Sequence, residues 1–492
     1  MSKPRLEGKV AIVTGGASGI GAETVRLFSE NGAFVVAADV QDELGHHLVA
    51  SIGSDKVSYR HCDVRDEKQV EETVSFTLEK YGRLDIMFSN AGIMGSGSVI
   101  LDLDLNSFDN ILAVNVRGVA ATIKHAARAM VANKIRGSII CTASIAGLVG
   151  GSGTHGYTTS KHAVIGLVRS ACSELGAFGI RVNCVSPYVT ATAMSCTTLN
   201  MEADEVEATG YDYSNLKGIT LKASHIAEAA LLEGKVAIVT GGASGIGAET
   251  VRLFSENGAF VVAADIQDEL GHQLVASIGS EKVSYRHCDV RDEKQVEETV
   301  NFALEKYGRL DIMFSNAGTV DSGSGILNLD LCEFDNIMAV NVRGVAATIK
   351  HAARAMVANN VRGSIICTAS VAGLVADCST HASTTSKHAV IGLVRTACNE
   401  LGAFGIRVNC VSPHAVATPL TCTALSMEAD EVEATGCDRS NLKGVILKAR
   451  HIAEAALFLA SDDSVYISGH NLVVDGGFIA SKSCFPRDAL IK

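Results

Sequence analysis

The sequence contains no tryptophan, only 5 proline residues in 492, and few charged side chains, at 20% of its length. With 47 glycines and so little proline, the chain is unlike a proline-rich linker or stalk. Its apolar share of 47% is too high for a disordered chain. The charge that is present is acidic, with a net value of −12, which disfavours nucleic acid or an anionic membrane surface as a partner. The composition therefore predicts a packed globular protein with neither kind of partner.

Long apolar runs and paired cysteine motifs are also missing. No segment approaches the roughly 20 apolar residues of a membrane span, and the N-terminus has no signal-peptide pattern. The 14 cysteines form no C-x-x-C pair, and most lie in apolar runs, which is typical of reduced, buried thiols in an intracellular protein. We therefore expect a cytoplasmic location. No His or Cys grouping has metal-ligand spacing, so no metal is expected.

The chain repeats itself. The segment GKVAIVTGGASGIGAETVRLFSENGAFVVAAD begins at Gly8 and again at Gly234, an offset of 226 that persists without a gap. A period this long indicates a duplicated domain rather than a solenoid of short repeats. We divide the chain into an N-terminal repeat, residues 1–231, and a C-terminal repeat, residues 232–492.

The two repeats end differently. The C-terminal repeat continues from HIAEAAL into FLASDDSVYISGHNLVVDGGF, whereas the N-terminal repeat runs from the same motif directly into LEGKVAIVT. The N-terminal repeat therefore lacks a counterpart of Leu472–Asp475, which we expect to be a last strand, and its sheet edge should be exposed. Two compensations are open: the C-terminal repeat packs against that edge, or its terminal segment swaps across.

Each repeat alternates short β-branched runs with amphipathic stretches, and strands covered on both faces show this near-continuous apolar character. The predicted fold is α/β, with two tandem Rossmann-type doubly wound parallel-sheet domains. Helices are predicted between the strands, for example over Glu67–Lys80 and His162–Phe178. The strands predicted in the N-terminal repeat are Val10–Thr14, Phe34–Asp39, Val57–Asp63, Leu84–Ser89, Ser138–Thr142 and Arg181–Ser186.

A glycine-rich loop follows the first predicted strand and opens a helix. Its glycines would let the backbone approach a pyrophosphate at the helix N-terminus. Asp39 ends the second strand, where a carboxylate can accept hydrogen bonds from ribose hydroxyls and repel a 2′-phosphate. The pattern predicts NAD rather than NADP as the cofactor. The loop residues are Gly15, Gly19, Ile20 and Gly21, and the counterparts in the C-terminal repeat are Gly241, Gly245, Ile246, Gly247 and Asp265.

Tyr157 and Lys161 are four residues apart at the start of a predicted helix and so share one face. A free tyrosine has a pKa near 10, and a nearby ammonium should lower it by favouring the phenolate. Ser144 follows a strand and can hydrogen-bond a carbonyl or alkoxide oxygen. Asn115, in a helical stretch, can hold a water that relays protons to Lys161.

Taken in order, these residues resemble the short-chain dehydrogenase/reductase family across both repeats, and within it the plant NAD-dependent branch typified by secoisolariciresinol dehydrogenase, momilactone A synthase and xanthoxin dehydrogenase. The resemblance implies a catalytic set of Asn115, Ser144, Tyr157 and Lys161, with Tyr157 and Lys161 also binding cofactor. It further implies cofactor contacts from Asp63, Val64, Asn90, Ala91, Gly92 and Thr192, and in the C-terminal repeat from Asp289, Val290, Asn316, Lys387 and Thr418. Tyr188 stands where the family usually has glycine and is expected to face the substrate.

The resemblance implies an alcohol dehydrogenase that interconverts a secondary alcohol and a ketone on an apolar terpenoid, phenolic or lignan-like substrate. Ser383 replaces the tyrosine in the C-terminal repeat, so we expect activity only in the N-terminal repeat. The alternative is a non-catalytic, NAD-binding tandem protein. A misjoined gene model also remains open, as does the assembly, which is either a homo-oligomer or an internal pseudo-dimer.

Overall fold

The structure is a computed structural model. It describes residues 4–53, 55–95, 102–148, 154–188, 190–192, 194–196, 201–203, 205–206, 232–321, 323, 326–375 and 379–480. All structural statements below concern these residues.

The N-terminal repeat contains a six-stranded sheet in the order β3-β2-β1-β4-β5-β6, and every strand pair is parallel. Reversal of strand order beside β1 creates the crevice in which doubly wound sheets bind ligands. The strands are β1 (Val10–Thr14), β2 (Phe34–Asp39), β3 (Val57–His61), β4 (Ile86–Ser89), β5 (Ser138–Thr142) and β6 (Arg181–Val185).

Helices connect these strands and cover the sheet on both faces. Polar caps define several of their ends: Asp66 and Asp104 each accept a backbone N–H at a helix start, and Gly82 ends a helix in the left-handed conformation. The helices are α1 (Gly19–Glu30), α2 (Asp42–Ile52), α3 (Glu67–Tyr81), α4 (Leu105–Leu112), α5 (Val119–Ala132) and α6 (His155–Leu175), with a π-helix at Ala113–Gly118 and 3₁₀ turns at Ile145–Gly147 and Gly176–Phe178.

The C-terminal repeat contains a seven-stranded parallel sheet in the order β13-β12-β11-β10-β7-β8-β9. Its strands are β7 (Val236–Thr240), β8 (Phe260–Asp265), β9 (Val283–His287), β10 (Ile312–Ser315), β11 (Ser364–Thr368), β12 (Arg407–Pro413) and β13 (Asn471–Val474). Its helices are α7 (Gly245–Glu256), α8 (Asp268–Ile278), α9 (Glu293–Tyr307), α10 (Leu331–Met338), α11 (Val345–Ala358), α12 (His381–Leu401), α13 (Pro419–Leu425), α14 (Ala429–Arg439) and α15 (Ala449–Ala460), with a π-helix at Ala339–Gly344 and 3₁₀ turns at Ile326–Asn328, Val371–Gly373, Gly402–Phe404 and Asp462–Ser464.

The predicted fold class is confirmed. The first sheet lacks a last strand, as predicted. Among the described residues, β6 ends its sheet, whereas β12 pairs with β13. The last predicted strand boundary was one residue too long, because β6 stops at Val185, while its counterpart β12 extends to Pro413 along its partner. A neighbouring strand thus lengthens β12 by two residues.

The helix α15 contributes more fully buried side chains to the core of the C-terminal repeat than β13 does. Ile452, Ala456 and Leu459 on α15 are fully buried, whereas all four residues of β13 are only half-buried. Phe254 of α7 is 0% exposed in this core, but the identical position on α1, Phe28, is half-buried. The N-terminal repeat therefore has a less well covered face along α1.

Of the two compensations left open by the sequence, the strand swap is not found. Strand β13 pairs with β12 of its own repeat, so it does not swap, and no described strand pairs with the outer edge of β6. The two sheets remain separate. No helix in the described part of the chain is long and apolar enough to cross a membrane.

Candidate active site

The loop after β1 is so close to neighbouring backbone, and so turned, that glycine is required at several of its positions. Gly15 and Gly19 have φ of 62° and 53°, which favours glycine. A Cβ at Gly15 would lie 2.8 Å from the Ala91 Cα, and one at Gly21 would overlap the Gly15 carbonyl oxygen. The loop leads into the N-terminus of α1, so unpaired N–H groups face the crevice. This is the cradle that a pyrophosphate requires.

Asp39 is buried at the end of β2. Its Oδ2 accepts a hydrogen bond from the Ala17 N–H at 2.9 Å, and its Oδ1 accepts from the Val40 and Gln41 N–H groups at 2.8 and 3.1 Å. These bonds fix the carboxylate against the glycine loop, at the lip of the crevice. The predicted proximity of Asp39 to the loop is therefore found.

Asn90 braces the strand ends beneath the crevice. Its Nδ2 donates to the Thr14 and Gly15 carbonyl oxygens at 3.1 and 3.3 Å, and its Oδ1 accepts from the Thr142 hydroxyl at 3.0 Å. The side chain is thus engaged within the protein. Asn90 holds β1, β4 and β5 together, and Ala91 and Gly92 continue along the crevice wall.

Asp63 and Val64 line the same crevice beyond β3. The Asp63 carboxylate accepts hydrogen bonds from the Arg65 guanidinium, with an Nη2–Oδ2 distance of 2.6 Å, and this bond lowers the pKa of Asp63. The strand β3 stops at His61, two residues before the predicted end. Asp63 therefore belongs to the turn that follows, where its side chain reaches the crevice.

Asn115 lies fully buried in the π-helix between α4 and α5, a conformation that sequence periodicity did not distinguish from an α-helix. Its Oδ1 accepts from the Ile93 N–H at 2.8 Å, and its Nδ2 donates to the Ile93 carbonyl and the Ser160 hydroxyl. Single π-turns often occur at functional sites. Here the turn fixes the backbone at residue 93 against α6.

Tyr157 sits in the first turn of α6, and the Thr154 cap helps to place it by accepting the Tyr157 N–H at 3.3 Å. Tyr157 is 7% exposed. Burial raises the pKa of its phenol, and the nearby Ser144 hydroxyl only partly offsets this. The direction is opposite to the lowering that we expected from Lys161.

The Lys161 ammonium explains this difference. Its Nζ donates to the Thr142 carbonyl oxygen at 2.7 Å and lies 5.3 Å from the centre of the Tyr157 ring. Burial lowers the pKa of Lys161 from 10.5 to about 8, because the ammonium has lost its water. Tyr157, Ser144 and Lys161 are therefore brought together, but burial outweighs any acidifying effect of the lysine on the phenol.

The buried ammonium predicts a pH-dependent stability difference between the wild type and Lys161→Met. Below pH 8 the folded wild type bears the full desolvation cost, about 3 kcal/mol from the lowering of the pKa from 10.5 to about 8. Between those values the unfolded chain binds more protons, so the wild type gains about 1.4 kcal/mol per pH unit. Denaturant unfolding from pH 7 to 10 should show the variant's advantage shrinking, and a constant difference would contradict this.

A cavity of about 680 Å³ connects the glycine loop with Tyr157. Thr192 closes it over Gly19, whose Cβ would lie 3.2 Å from the Thr192 Cγ2. Sequence reasoning missed Thr142, which orients Lys161, and Ser195, whose hydroxyl accepts the Thr192 N–H at 3.0 Å. Both are polar residues near predicted site residues, but nothing in the sequence distinguishes them. Tyr188 lines the cavity, as predicted, with Ile93, Met94 and Met194.

The C-terminal repeat preserves the glycine loop, the carboxylate and the lysine of this arrangement, but not the phenol. Gly241 and Gly245 have φ of 62° and 54°, and the Asp265 Oδ2 accepts the Ala243 N–H at 2.9 Å. Lys387 donates to the Thr368 carbonyl oxygen at 2.8 Å, and Ser383 is buried where Tyr157 lies in the N-terminal repeat. The other predicted residues occupy equivalent positions: Ile246, Gly247, Asp289, Val290, Asn316 and Thr418.

Two further observations bear on the sequence predictions. The twelve cysteines that the structure describes have no disulfide partner. Within the same residues, no group of three or more His, Cys, Asp or Glu side chains has the geometry of a metal site.

Comparison with known families gives a match in each repeat. Residues 9–203 match the short chain dehydrogenase model, and residues 241–479 match the model described as enoyl-(acyl carrier protein) reductase.

Three plant proteins are similar to about half of the chain. Short-chain dehydrogenase reductase 3b of Arabidopsis thaliana is 57% identical over 251 residues, which are 51% of this chain and 98% of that protein. Momilactone A synthase of Oryza sativa subsp. japonica is 52% identical over 267 residues, 53% of this chain and 96% of that protein. The mitochondrial (-)-isopiperitenol/(-)-carveol dehydrogenase of Mentha piperita is 50% identical over 263 residues, 53% of this chain and 98% of that protein.

Proposed function

The chain belongs to the short-chain dehydrogenase/reductase family of oxidoreductases, and from that premise we propose that it is NAD-dependent and interconverts a secondary alcohol and a ketone at one competent site, in the N-terminal repeat. The observation that carries this proposal is the buried Tyr157 phenol. It lies near the Ser144 hydroxyl and one helical turn from Lys161, whose Nζ is 5.3 Å from the ring centre, in a cavity that continues to the glycine loop.

The residues present fit a dinucleotide. The loop at Gly15 and Gly19 leaves no room for side chains. The Asp39 Oδ1 accepts three hydrogen bonds, from the Val40 and Gln41 N–H groups and the Gln41 side chain, but Oδ2 accepts only one and so keeps a lone pair for a ribose hydroxyl. Members of this family typically bind a nicotinamide cofactor, which when bound supplies the redox chemistry. Asp63, Val64, Asn90–Gly92 and Thr192 would complete the binding surface.

The chain's own residues handle the proton and the reacting oxygen. Because the pKa of Tyr157 is raised, its Oη carries a proton at neutral pH and can donate it to a carbonyl oxygen. The Ser144 hydroxyl holds that oxygen in place. In the reverse direction the phenolate must accept a proton, so alcohol oxidation should become faster as pH rises. A water relay at Asn115 would have to use its main-chain carbonyl or the second lone pair of Oδ1, because both Nδ2 hydrogens are engaged.

The choice of NAD over NADP depends on Asp39 in this proposal. Asp39→Asn keeps the shape but removes the charge that would repel a 2′-phosphate, so the ratio of kcat/KM for NAD to that for NADP should fall by about tenfold or more, or about 1.4 kcal/mol. Steady-state kinetics with both cofactors measures this ratio. Asp265→Asn is the matched control, since it alters only the C-terminal repeat and should leave the ratio unchanged. A ratio unaffected by Asp39→Asn would count against the assignment.

The substrate that we propose is an apolar terpenoid, phenolic or lignan-like alcohol. The cavity wall near Tyr157 is formed by Ile93, Met94, Tyr188 and Met194, which offer apolar and adaptable contacts. Two similar plant proteins are named for momilactone A and for isopiperitenol and carveol. Other wall segments predicted from the sequence, within 96–98 and 197–222, lie largely outside the described residues. A role in plant-type secondary metabolism and a cytoplasmic location are part of the proposal, although one relative is named as mitochondrial.

A boundary between residues 231 and 232 fits the packing of the C-terminal repeat. Leu232 is fully buried in that repeat's core, and its N–H donates to the Asn257 carbonyl oxygen at 3.0 Å. A helix like α15 in the N-terminal repeat would need residues 223–234, of which 232–234 already belong to the next domain.

The second candidate is a non-catalytic tandem protein that binds NAD. Ser383 in one repeat and the incomplete core of the other favour it. A panel of cyclic terpenoid, phenolic and lignan alcohols, followed by absorbance of the reduced nicotinamide, separates the two. Turnover supports the enzyme, whereas cofactor binding without turnover of any alcohol supports the alternative.

A further inference from the structure

The two repeats contact each other at the end of α6 that is remote from Tyr157. The Lys443 N–H of the C-terminal repeat donates to the Gly176 carbonyl oxygen at 2.9 Å, and the Arg136 Nη2 donates to the Gly444 carbonyl oxygen at 2.8 Å. Gly176 directly follows α6, and Arg136 lies just before β5. Two hydrogen bonds thus tie the loop after α14 to the base of the N-terminal domain.

Close packing accompanies these hydrogen bonds. A Cβ at Gly176 would lie 2.7 Å from the Asn441 carbonyl oxygen, so the two backbones touch across the contact. A Cβ at Gly477 would lie 3.0 Å from the Cys172 Sγ on α6. The carboxylate of Asp475 is near enough to add to the raised pKa of the Cys172 thiol, which burial mainly causes. The segment 475–477 has no counterpart in the N-terminal repeat.

The contact lies at the opposite end of α6 from the proposed active site. The helix α6 carries Tyr157 and Lys161 in its first two turns, and its other end is held by the C-terminal repeat. Elsewhere the Arg5 guanidinium lies 3.7 Å from the Asp463 carboxylate, while Phe28 on α1 is half-buried and no described strand pairs with the outer edge of β6. A helix of 21 residues is long enough to transmit a displacement from one end to the other.

We propose that the C-terminal repeat acts as a permanently attached partner subunit, which docks residues 440–444 and 475–477 onto the C-terminal end of α6 and thereby holds the helix that carries the proposed active site. The docking itself does not depend on the proposed activity. The replacement of the tyrosine by Ser383 is compatible with this role, since none of these contacts involves position 383.

A cross-link tests the docking without any activity assay. Gly477→Cys should form a disulfide with the native Cys172 under mild oxidation, because the Cβ and Sγ would be 3.0 Å apart. Gly476→Cys is the matched control: it has the same left-handed backbone, with φ of 59° against 82°, but its Cβ would meet Ser440 instead of a thiol. Peptide mass mapping of the monomeric fraction should find the 172–477 link only in the first variant. Absence of that link, or its presence only between chains, would overturn the proposal.

A second pair of variants tests whether the contact is tight. Alanine normally stabilises a helix relative to glycine, and Gly166→Ala on α6, with open space around it, should raise the first melting transition by about 1–4 °C. Gly176→Ala has a helical backbone too, with φ of −56° and ψ of −31°, but it meets the Asn441 backbone, so the transition should fall. An increase in both variants would contradict docking at this site.

Discussion

Replacing Tyr157 by phenylalanine is expected to lower kcat/KM for alcohol oxidation by about 10²–10⁴-fold, the usual worth of a positioned general acid or base. The ring stays in its buried place, so folding and dinucleotide affinity should be unchanged; only the Oη, to which we assign the proton transfer, is lost. Steady-state kinetics, together with a cofactor-binding titration, measures the two quantities separately.

The control for this variant is Tyr81→Phe, which removes a hydroxyl that bonds to Ser58, away from the cavity. Its turnover should equal that of the wild type. If Tyr157→Phe retained full turnover, the assignment of the proton to this phenol would be wrong, and the reaction would need a different acid and base.

Introducing a tyrosine at position 383 is the second large effect that we expect. In a Tyr157→Phe background, Ser383→Tyr should restore turnover by about 10²-fold or more, because the proton-transfer group is the one member of the proposed catalytic set that the C-terminal repeat lacks. Asn341 binds the backbone of residue 319 at 2.8 Å, Ser370 caps the following 3₁₀ turn, and Lys387 bonds to Thr368, as their counterparts do. Kinetics on the double variant measures the recovery.

Ser383→Phe in the same background fills the same space without a hydroxyl and should remain inactive. Recovery in that control would show that ring volume, not proton transfer, had been missing. A double variant that binds cofactor but stays inactive would mean that the C-terminal repeat has lost more than its phenol. The cavity wall also differs, because Thr319, Val320, His414 and Leu420 replace Ile93, Met94, Tyr188 and Met194, and Asp321 replaces Gly95.

The sheet could be predicted from the sequence because its strands are apolar on both faces. The bounds of β1, β2 and β5 agree with the prediction residue for residue. The strand β4 begins two residues later than predicted, because the buried Asp85 side chain accepts the Val10 N–H and binds Arg83. A hydrophobic pattern does not reveal such a carboxylate anchor.

The helix that carries Tyr157 starts at His155, seven residues before His162, where the helix predicted from periodicity begins. Thr154 supplies the cap, and a threonine before a glycine and a tyrosine is a weak local signal. The predicted proximity of Tyr157, Ser144 and Lys161 is found, since i,i+4 spacing and strand ends dictate it. The predicted direction of the tyrosine pKa was wrong, because burial of the phenol, which the sequence does not reveal, raises that pKa. The roles of the individual site residues stay predictions.

The half-buried Phe28 on α1 bears on how long such a molecule keeps working. The domain that holds Tyr157 has the thinner core, while the C-terminal repeat contains nine of the fifteen described α-helices and seven of the thirteen described strands. A warmed or aged preparation in which only the first domain has unfolded would therefore lose all turnover while keeping more than half of its circular dichroism signal. Spectroscopic purity would overstate the fraction of functional molecules, and active-site counting would be the safer measure of yield.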